Sequence, residues 1–318
     1  MHFDEQIVAA ELRKGGIRLD ANESGLFARE LENISARETE TVFDKFRADE
    51  FIPIDPSIDP ADLTHTHRRF TAIGAAKVIS NYATDLPNIE EYGEETTTKI
   101  VDLGASYQYT MQDIRASRKL KRPLEQRKAR IAREAIERLA DQMAAFGRAE
   151  SNITGMLNAS GVPILAAGYN GDWDDSGTTG AMVLADLKMM EFLVWTQSRQ
   201  NHMPNAMLFG TNSYAALSKP YSEFIGDSVL DIFLRGSKMI TSVDSWVRLD
   251  LADAQGNGER AVVYDKNLDN LYQIKPVLFQ SEQPQADNLT FKIPCHGRHG
   301  GVVVRRPLSM LYVDGLLD

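Results

Sequence analysis

One long amphipathic helix, predicted between residues 117 and 150, constrains the fold of this chain more than any other segment. Pro123 suits the first turn of a helix, where a missing amide donor costs nothing, and Gly147 suits the end. Between them, apolar residues recur at spacings of three and four: Leu124, Ile131, Ala132, Ala135, Ile136, Leu139, Met143 and Phe146. About 24 residues give a rod of roughly 36 Å with one apolar face. Such a helix covers a sheet or a domain and shows its other face to solvent or to a partner.

An extended polar stretch precedes this helix. The β-branched residues between Thr96 and Val101, and the alternating pair Tyr107 and Tyr109, predict a two-stranded ribbon. Acidic residues gather near its predicted tip: Glu90, Glu91, Glu94 and Glu95. An isolated two-stranded ribbon is marginally stable in water. It therefore needs a surface to lie on, and a neighbouring subunit must supply that surface if its own domain does not.

The beginning of the chain predicts an arm. Short helices are predicted at 5–14 and 36–47, and Pro53, Pro56 and Pro60 then favour an extended linker, since proline lacks an amide donor. The aromatic residues of the arm are its candidate anchors: Phe43, Phe46 and Phe51. We expect deletion of residues 1–54 to spare the domain core and to weaken an assembly.

The second half of the chain predicts mixed α/β structure. A helix is predicted at 184–197, a short buried strand at 206–210, and a capped helix that ends before Pro220. The alternation of Val247, Leu249 and Leu251, followed by an Asn-Gly turn at 257–258, predicts a hairpin that returns through 261–264. Further strands are predicted in the tail.

Composition limits the classes of function. The formal net charge is −10 and the sequence pI is near 5.2, which argues against a general nucleic-acid-binding protein. Acidic residues are frequent in the first sixty positions and basic residues between 115 and 133, so the two regions either pair or form solvated faces. The single cysteine excludes an intrachain disulfide. We expect no signal peptide and no transmembrane helix, and hence a cytosolic protein.

Motifs for chemistry are weak. Nucleotide-binding, hydrolase and metalloprotease signatures do not occur in the sequence. Three groups of side chains have the chemistry of metal ligands but lack a recognised spacing. These groups are Cys295, His296 and His299; His65 and His67; and Asp172, Asp174 and Asp175. We interpret them as ordinary strand and loop residues, and predict no catalytic, cofactor or metal site.

Two blocks of the sequence resemble a known family. The first, GASYQYTMQDIRASRKLKRPLEQRKARIAREAIERLADQMAAFGRAESNITGMLN, joins a strand with alternating aromatic residues to a basic segment and the long helix. The second, TFKIPCHGRHGGVVVRRPLSMLYVDGLLD, contains a Gly-Gly-Val strand, Arg-Arg-Pro and Tyr-x-Asp-Gly. Both blocks resemble the major capsid proteins of tailed bacteriophages, and the similarity spans most of residues 82–318.

The resemblance implies an α+β fold of the Hong Kong 97 type. Its parts would be an N-terminal arm (1–60), a P-domain (61–165) with an E-loop (about 82–108) and a spine helix (about 123–146), an A-domain (166–294), and C-terminal strands that return to the P-domain (295–318).

The resemblance also implies a function. The chain would self-assemble into hexamers and pentamers of an icosahedral head that encloses double-stranded DNA, without enzymatic activity or a cofactor. Its partners would be further copies of itself, a portal protein, scaffolding or decoration proteins, and the DNA, bound non-specifically; no membrane is expected. It would reside in the virion, and in the host cytoplasm during assembly. Two alternatives are an encapsulin-like bacterial compartment and a metal-dependent enzyme that uses Cys295, His296 and His299.

An assembly of this kind suggests two sets of contact residues. The E-loop residues expected between subunits are Glu90, Glu91, Glu94, Glu95 and Lys99. The basic residues expected to face a neighbour or DNA are Arg115, Arg118, Lys121, Arg122, Arg127 and Arg130. We expect the acidic tip to lie on the basic surface of an adjacent subunit, and the sequence gives no ground to predict a covalent crosslink at Lys99.

Overall fold

The computed structural model describes residues 45–78, 88–120, 124–166, 172–175, 177–222, 224–254, 256 and 258–317. The chain divides into two units, residues 1–44 and residues 45–318, and all described residues belong to the second. The helices are α1 (Ala48–Phe51), α2 (Met111–Leu120), α3 (Leu124–Phe146), α4 (Gly180–Gln197), α5 (Thr211–Ala216) and α6 (Val229–Gly236). The strands are β1 (Thr64–Ile73), β2 (Glu90–Lys99), β3 (Val101–Thr110), β4 (Ile164–Ala166), β5 (Ala206–Phe209), β6 (Pro220–Ser222), β7 (Ile225–Ser228), β8 (Ser242–Ser245), β9 (Arg260–Tyr264), β10 (Leu271–Gln273), β11 (Val277–Ser281), β12 (Gln285–Asp287), β13 (Thr290–His299), β14 (Val302–Val304) and β15 (Met310–Asp314).

The largest sheet has five strands in the order β4-β15-β9-β5-β8. β4 is parallel to β15 and β8 is parallel to β5, whereas β9 is antiparallel to both of its neighbours. Every residue of β5 and β9 is buried. Successive side chains of a strand point to opposite faces, so Val262 enters the core on one face and Val263 the core on the other. Burial on both faces explains why β9 is apolar throughout most of its length rather than alternating.

A second sheet carries the long helix. β3 and β13 pair over ten residues, from Val101 opposite His299 to Thr110 opposite Thr290. α3 packs on one face of this sheet, where Ile136 and Met143 meet Leu103 and Cys295 in a common core. Three members of the predicted apolar stripe are exposed, Ile131, Ala135 and Leu139, because the face that contacts the sheet is narrower than the stripe. The basic segment before α3 forms a separate helix, α2, rather than its first turns.

The ribbon is shifted toward the N-terminus relative to the prediction of 82–108. β1 pairs with β2, from Thr64 opposite Lys99 to Ile73 opposite Glu90. β3, which was expected within the ribbon, belongs to the sheet under α3, and Leu103 and Tyr109 are buried there. The alternating aromatic residues therefore mark a strand with a covered face. The true first strand, β1, has little apolar alternation to reveal it.

The expected arm is part of the core from Ala48 onward. Phe51 and Ile52 are buried, and Tyr264 Oη donates a hydrogen bond to the carbonyl of Phe51 at 2.9 Å. The carbonyl of Pro53 accepts a hydrogen bond from the Gln273 amide at 2.8 Å. A proline keeps its acceptor although it lacks a donor, so the proline-rich segment still pairs with the body. These contacts argue against the expectation that deletion of residues 1–54 spares the core.

Two further expectations differ from the structure. Residues Val247–Leu249 form a 3-10 helix, and β8 and β9 are separated by β5, so the predicted hairpin is absent from this part of the described chain. The predicted boundary at 294 lies inside β13. The final strand, β15, pairs with β4 and β9 in the large sheet, whereas residues 295–299 pair with β3.

Gly301 is required by the turn that joins β13 to β14. Its φ is +79°, and a Cβ there would lie 2.3 Å from the Thr154 carbonyl oxygen. Gly301→Ala is expected to lower the free energy of unfolding by more than about 2 kcal/mol, because left-handed backbone costs about 1–2 kcal/mol before the steric clash is counted. Urea unfolding of the unassembled subunit measures this. Gly104→Ala, where a Cβ meets nothing within 4 Å, is the matched control. Equal unfolding midpoints for the two variants would contradict the assignment.

Candidate assembly surfaces

The ribbon, defined as β1 and β2, is hydrogen-bonded to the described part of the body near its base. There His65 Nε2 and Tyr272 Oη lie 2.7 Å apart, and the two rings are edge-to-face. Thr98, opposite His65, is buried, and the Ile100 amide donates to the Leu63 carbonyl at 2.9 Å. From Arg68 to Ile73 every residue of β1 is exposed. Among the described residues, the distal half is therefore largely open to solvent, although Arg68, Arg69 and Phe70 also border a groove against the body.

The distal half of the ribbon is apolar on parts of both faces. Phe70 is 64% exposed and Ile73 is 61% exposed. The Phe70 ring lies over Gly93 on the opposite strand, at 3.2 Å from the position that a Cβ would take. Tyr92 and Ile89 are exposed beside them. Apolar side chains clustered on an exposed ribbon indicate a surface that another protein covers.

The predicted acidic residues all lie on β2, but they are spread along it rather than gathered at a tip. Glu95 Oε1 pairs with Arg68 Nε across the ribbon at 2.8 Å, and Glu94 lies opposite Arg69. Glu90 accepts a hydrogen bond from Tyr92 Oη, and Glu91 is exposed near the distal end. Lys99 is exposed at the base. Part of the acidic charge is therefore compensated within the ribbon itself.

The predicted basic residues lie on two helices. Arg115 and Arg118 are exposed on α2. Arg127 and Arg130 are exposed on α3, and Arg130 lies 3.8 Å from Glu134. Lys121 and Arg122 fall outside the described residues. Only some of the expected basic surface is thus placed by the structure.

Arg118 borders an apolar groove of about 440 Å³ beneath α2, which we call the α2 groove. Tyr109, Phe291 and Ile293, from β3 and β13, form much of its wall. Lys128 of α3 borders the groove: its Nζ donates to the Gln108 carbonyl at 2.8 Å and lies 4.4 Å from the centroid of the Tyr109 ring.

The arm anchors have different environments. Phe51 is 3% exposed and packs edge-to-face on Trp246, with ring centroids 5.8 Å apart. It is an anchor of the subunit's own core rather than of a contact between subunits. Phe46 is half-buried beside a small pocket with Asp49 and Lys275. Phe43 lies outside the described residues.

A further apolar surface was not predicted from the sequence. The outer side of α4 exposes Met182 and Phe192, and the hairpin of β6 and β7 exposes Phe224 and Ile225. The sequence did contain a signal for this surface. α4 is apolar nearly all round, and such a helix is normally covered on every side. We call Met182, Phe192, Phe224 and Ile225 the α4 surface.

The weak candidates for chemistry have ordinary structural roles. Cys295 is buried under α3, and burial raises the pKa of its thiol. His299 Nδ1 accepts a hydrogen bond from the Gly301 amide at 2.9 Å, and burial lowers the pKa of its imidazole to about 3. His296 Nδ1 lies 3.6 Å from Glu282 Oε1. Within the described ranges, no three His, Cys, Asp or Glu side chains are grouped as metal ligands. The helices of those ranges are also too short or too polar to cross a membrane.

Comparison with solved structures establishes the fold. The chain superposes on the capsid of Myoviridae phage XM1 with a TM-score of 0.78 and 15% identity, over 92% of this chain and 100% of the phage chain. The capsid of a native GTA particle gives a TM-score of 0.64 and 14% identity, over 92% and 99%. A virus-like particle from Pyrococcus furiosus gives 0.50 and 13%, over 83% and 90%. The predicted α+β fold of the Hong Kong 97 type is confirmed.

Comparison of sequences gives the family. No curated protein sequence matches the chain. A family model described as major capsid protein matches residues 74–316, which include β2, β3, all of α2–α6 and the last strand. That match covers well over half of the chain, and the protein belongs to the major capsid protein family.

Proposed function

We propose that this chain self-assembles into hexamers and pentamers of an icosahedral phage head that encloses double-stranded DNA. The observation that carries the proposal is the ribbon, whose distal half exposes Phe70 and Ile73 and has no cover within the described part of its subunit. A two-stranded ribbon of this length needs a packing surface. Membership of the major capsid protein family supports further copies of the chain as the source of that surface.

The ribbon of one copy docks on the α2 groove of the next. The apolar distal half, with Phe70 and Tyr92, fits the apolar wall formed by Tyr109 and Phe291. Glu91, at the same end of the ribbon, meets the exposed arginines of α2. This contact joins two different surfaces, so repetition around an axis closes a ring. The charged pairs set the register, while apolar burial supplies most of the affinity.

The α4 surface contributes a second contact between copies. Phe224 is 95% exposed at the end of the β6–β7 hairpin. Large apolar side chains that project in this way are characteristic of interaction sites. In the proposed capsomer they pack against the same surface region of adjacent copies.

The role is structural rather than catalytic. The partners are further copies of the chain, a portal protein, scaffolding or decoration proteins, and packaged DNA held without sequence preference. The protein is placed in the virion after assembly in the host cytoplasm. The compartment alternative is not favoured, since the family model that matches is that of major capsid proteins.

Electron microscopy of the purified, expressed chain tests the proposal. Closed shells or regular capsomers are the expected result. A uniform monomer or dimer, even under crowding or with a scaffolding partner added, would refute it. Packaged protein cargo in place of DNA, in particles isolated from the native source, would favour a compartment instead.

Charge reversal on the ribbon is expected to weaken assembly. Glu94→Lys combined with Glu95→Lys removes carboxylates that would face an adjacent subunit and places two lysines beside Arg68 and Arg69. Because each exposed pair is worth only about 0–1 kcal/mol, we expect about a ten-fold rise in the concentration at which shells form. Light scattering measures that concentration, and circular dichroism checks the monomer fold.

A swap variant separates the two causes. Arg68→Glu combined with Glu95→Lys keeps an ion pair within the ribbon and leaves the net charge unchanged. Normal shells from the Glu94 and Glu95 double variant would exclude docking by these charges. If the swap variant forms normal shells while the Glu94 and Glu95 double variant does not, the loss of assembly does not come from Glu95. It then comes either from the lost pairing of Glu94 with the neighbouring subunit or from repulsion between the new lysines and the arginines of the same ribbon.

A further inference from the structure

A second concave site lies where the ribbon joins the body. This groove, which we call the arginine groove, has a volume of about 390 Å³. Arg68 and Arg69 enter it from β1, and Arg305 and Arg306 from the segment after β14. All four arginines are exposed. The carboxylate that lines the groove is Asp269.

The four arginines are only partly compensated within the subunit. Arg68 pairs with Glu95, and the Arg305 guanidinium lies over the Tyr272 ring at 4.7 Å. Arg306 Nη1 donates to Asn270 Oδ1 at 3.3 Å.

Arg69 forms no hydrogen bond or ion pair with any described residue, although Glu94 stands opposite it in the ribbon. Its guanidinium is therefore a fork of donors available to an incoming oxyanion, and this fork matches a carboxylate in shape.

His67 adds an independent sign that the groove is incomplete. Its Nδ1 is buried and has no hydrogen-bond partner among the described atoms. Burial is the main cause that lowers the pKa of His67, and the positive fields of His65, Arg305 and Arg69 lower it further. A buried polar nitrogen without a partner carries a desolvation penalty, which an oxygen ligand in the groove would relieve.

We propose that the arginine groove receives carboxylate side chains of a second copy of this chain. The proposal rests on the proposed function, since it needs adjacent copies. The chain as a whole carries a formal charge of −10, so this local excess of arginine finds complementary charge on any neighbouring copy. The groove is distinct from the α2 groove, so it defines an additional contact beside Arg68 and Arg69 of the ribbon.

The first test reverses charge at Arg69 in the full chain. Arg69→Glu is expected to raise the concentration at which shells form by at least about ten-fold, because like charges then face one another across the contact. Lys238→Glu, at an exposed position outside the groove, makes the same change in net charge and is the control. We also expect the concentration at which shells form to depend more strongly on salt for the wild type than for Arg69→Gln. Normal assembly of Arg69→Glu would overturn the proposal and leave the proposed function intact.

The second test identifies the occupant. In Arg69→Lys the new lysine reacts with an adjacent carboxylate under a carbodiimide, and a mixture of ¹⁵N-labelled and unlabelled chains distinguishes links between copies from links within one copy. We expect a mixed-isotope link to an Asp or Glu peptide. A link confined to Glu94 or Asp269 of the same chain would overturn the proposal. So would shells of Arg69→Glu that form normally but lose affinity for a duplex DNA probe. If the wild-type chain forms no particle and Arg69→Lys gives no mixed-isotope link, the proposed function fails as well.

Discussion

Replacing Phe70 and Ile73 together by Asp is expected to abolish shell formation while the subunit stays folded. Both side chains are exposed on the distal half of the ribbon, so the isolated subunit loses no core packing. In the proposed shell each buries an apolar side chain, which contributes about 1.5–3 kcal/mol. A loss of about 3–6 kcal/mol per contact raises the concentration required for assembly by at least about 100-fold. Burying two unpaired carboxylates against an apolar wall adds to this penalty.

Sedimentation velocity measures the fraction of chains in particles, and thermal unfolding of the unassembled variant checks its fold. Leu251→Asp combined with Leu278→Asp is a matched control, because both leucines are exposed and neither belongs to the ribbon, the α2 groove or the α4 surface. Shells from the Phe70 and Ile73 variant at wild-type concentration would show that the ribbon is not a contact between subunits. Loss of shells in the control alone would show that the contact between subunits lies at the control positions rather than at the ribbon.

Phe51→Ala is expected to lower the free energy of unfolding of the subunit by about 3–5 kcal/mol. Phe51 is enclosed by Trp246 and the core of the large sheet, and its carbonyl accepts a hydrogen bond from the hydroxyl of Tyr264. Removal of the ring leaves a cavity that these large neighbours cannot fill. Urea unfolding of the unassembled chain gives the value, with Phe46→Ala, at a half-buried position, as the control. We expect the control to lose less than about 2 kcal/mol.

Two truncations test the same boundary at a larger scale. A chain that starts at residue 55 lacks the buried side chains of Phe51 and Ile52, and the carbonyl that pairs with the Gln273 amide. We expect it to unfold, whereas a chain that starts at residue 45 retains all of these contacts. A folded, cooperatively melting product from residue 55 onward would show that the large sheet closes without α1.

Local patterns predicted several elements well. The three- and four-residue spacing of apolar side chains predicted a long helix, and α3 runs from Leu124 to Phe146. The predicted helix after the buried strand is α5, directly behind β5. These elements are governed by interactions within about a turn of helix or a few strand residues, so the sequence periodicity carries the information.

Partners in pairing were not predictable in the same way. Tyr107 and Tyr109 alternate as a ribbon strand would, but their strand lies beside β13, almost two hundred residues later in the chain. Arg260, expected within a simple hairpin, is 5% exposed and forms an ion pair with Asp314 at 2.7 Å across the large sheet. A strand's pattern shows which face is covered but not which strand lies next to it.

The candidate surfaces show the same difference between what local sequence predicts and what depends on strand pairing. The acidic run of the ribbon and the basic run before α3 are visible in the sequence, yet the compensation of Glu95 by Arg68 depends on the register of β1 against β2. The arginine groove combines residues from both ends of the chain, and the sequence offers no signal for it.

The sequence by itself determined the family, the long helix, and the acidic character of β2 and the basic character of α2. Only the tertiary structure decided where the ribbon begins, that Phe51 belongs to the core, and which arginines converge beside His67. The physical reason is that periodicity and composition act over short separations along the chain, whereas burial and charge pairing are set by contacts between residues far apart in sequence.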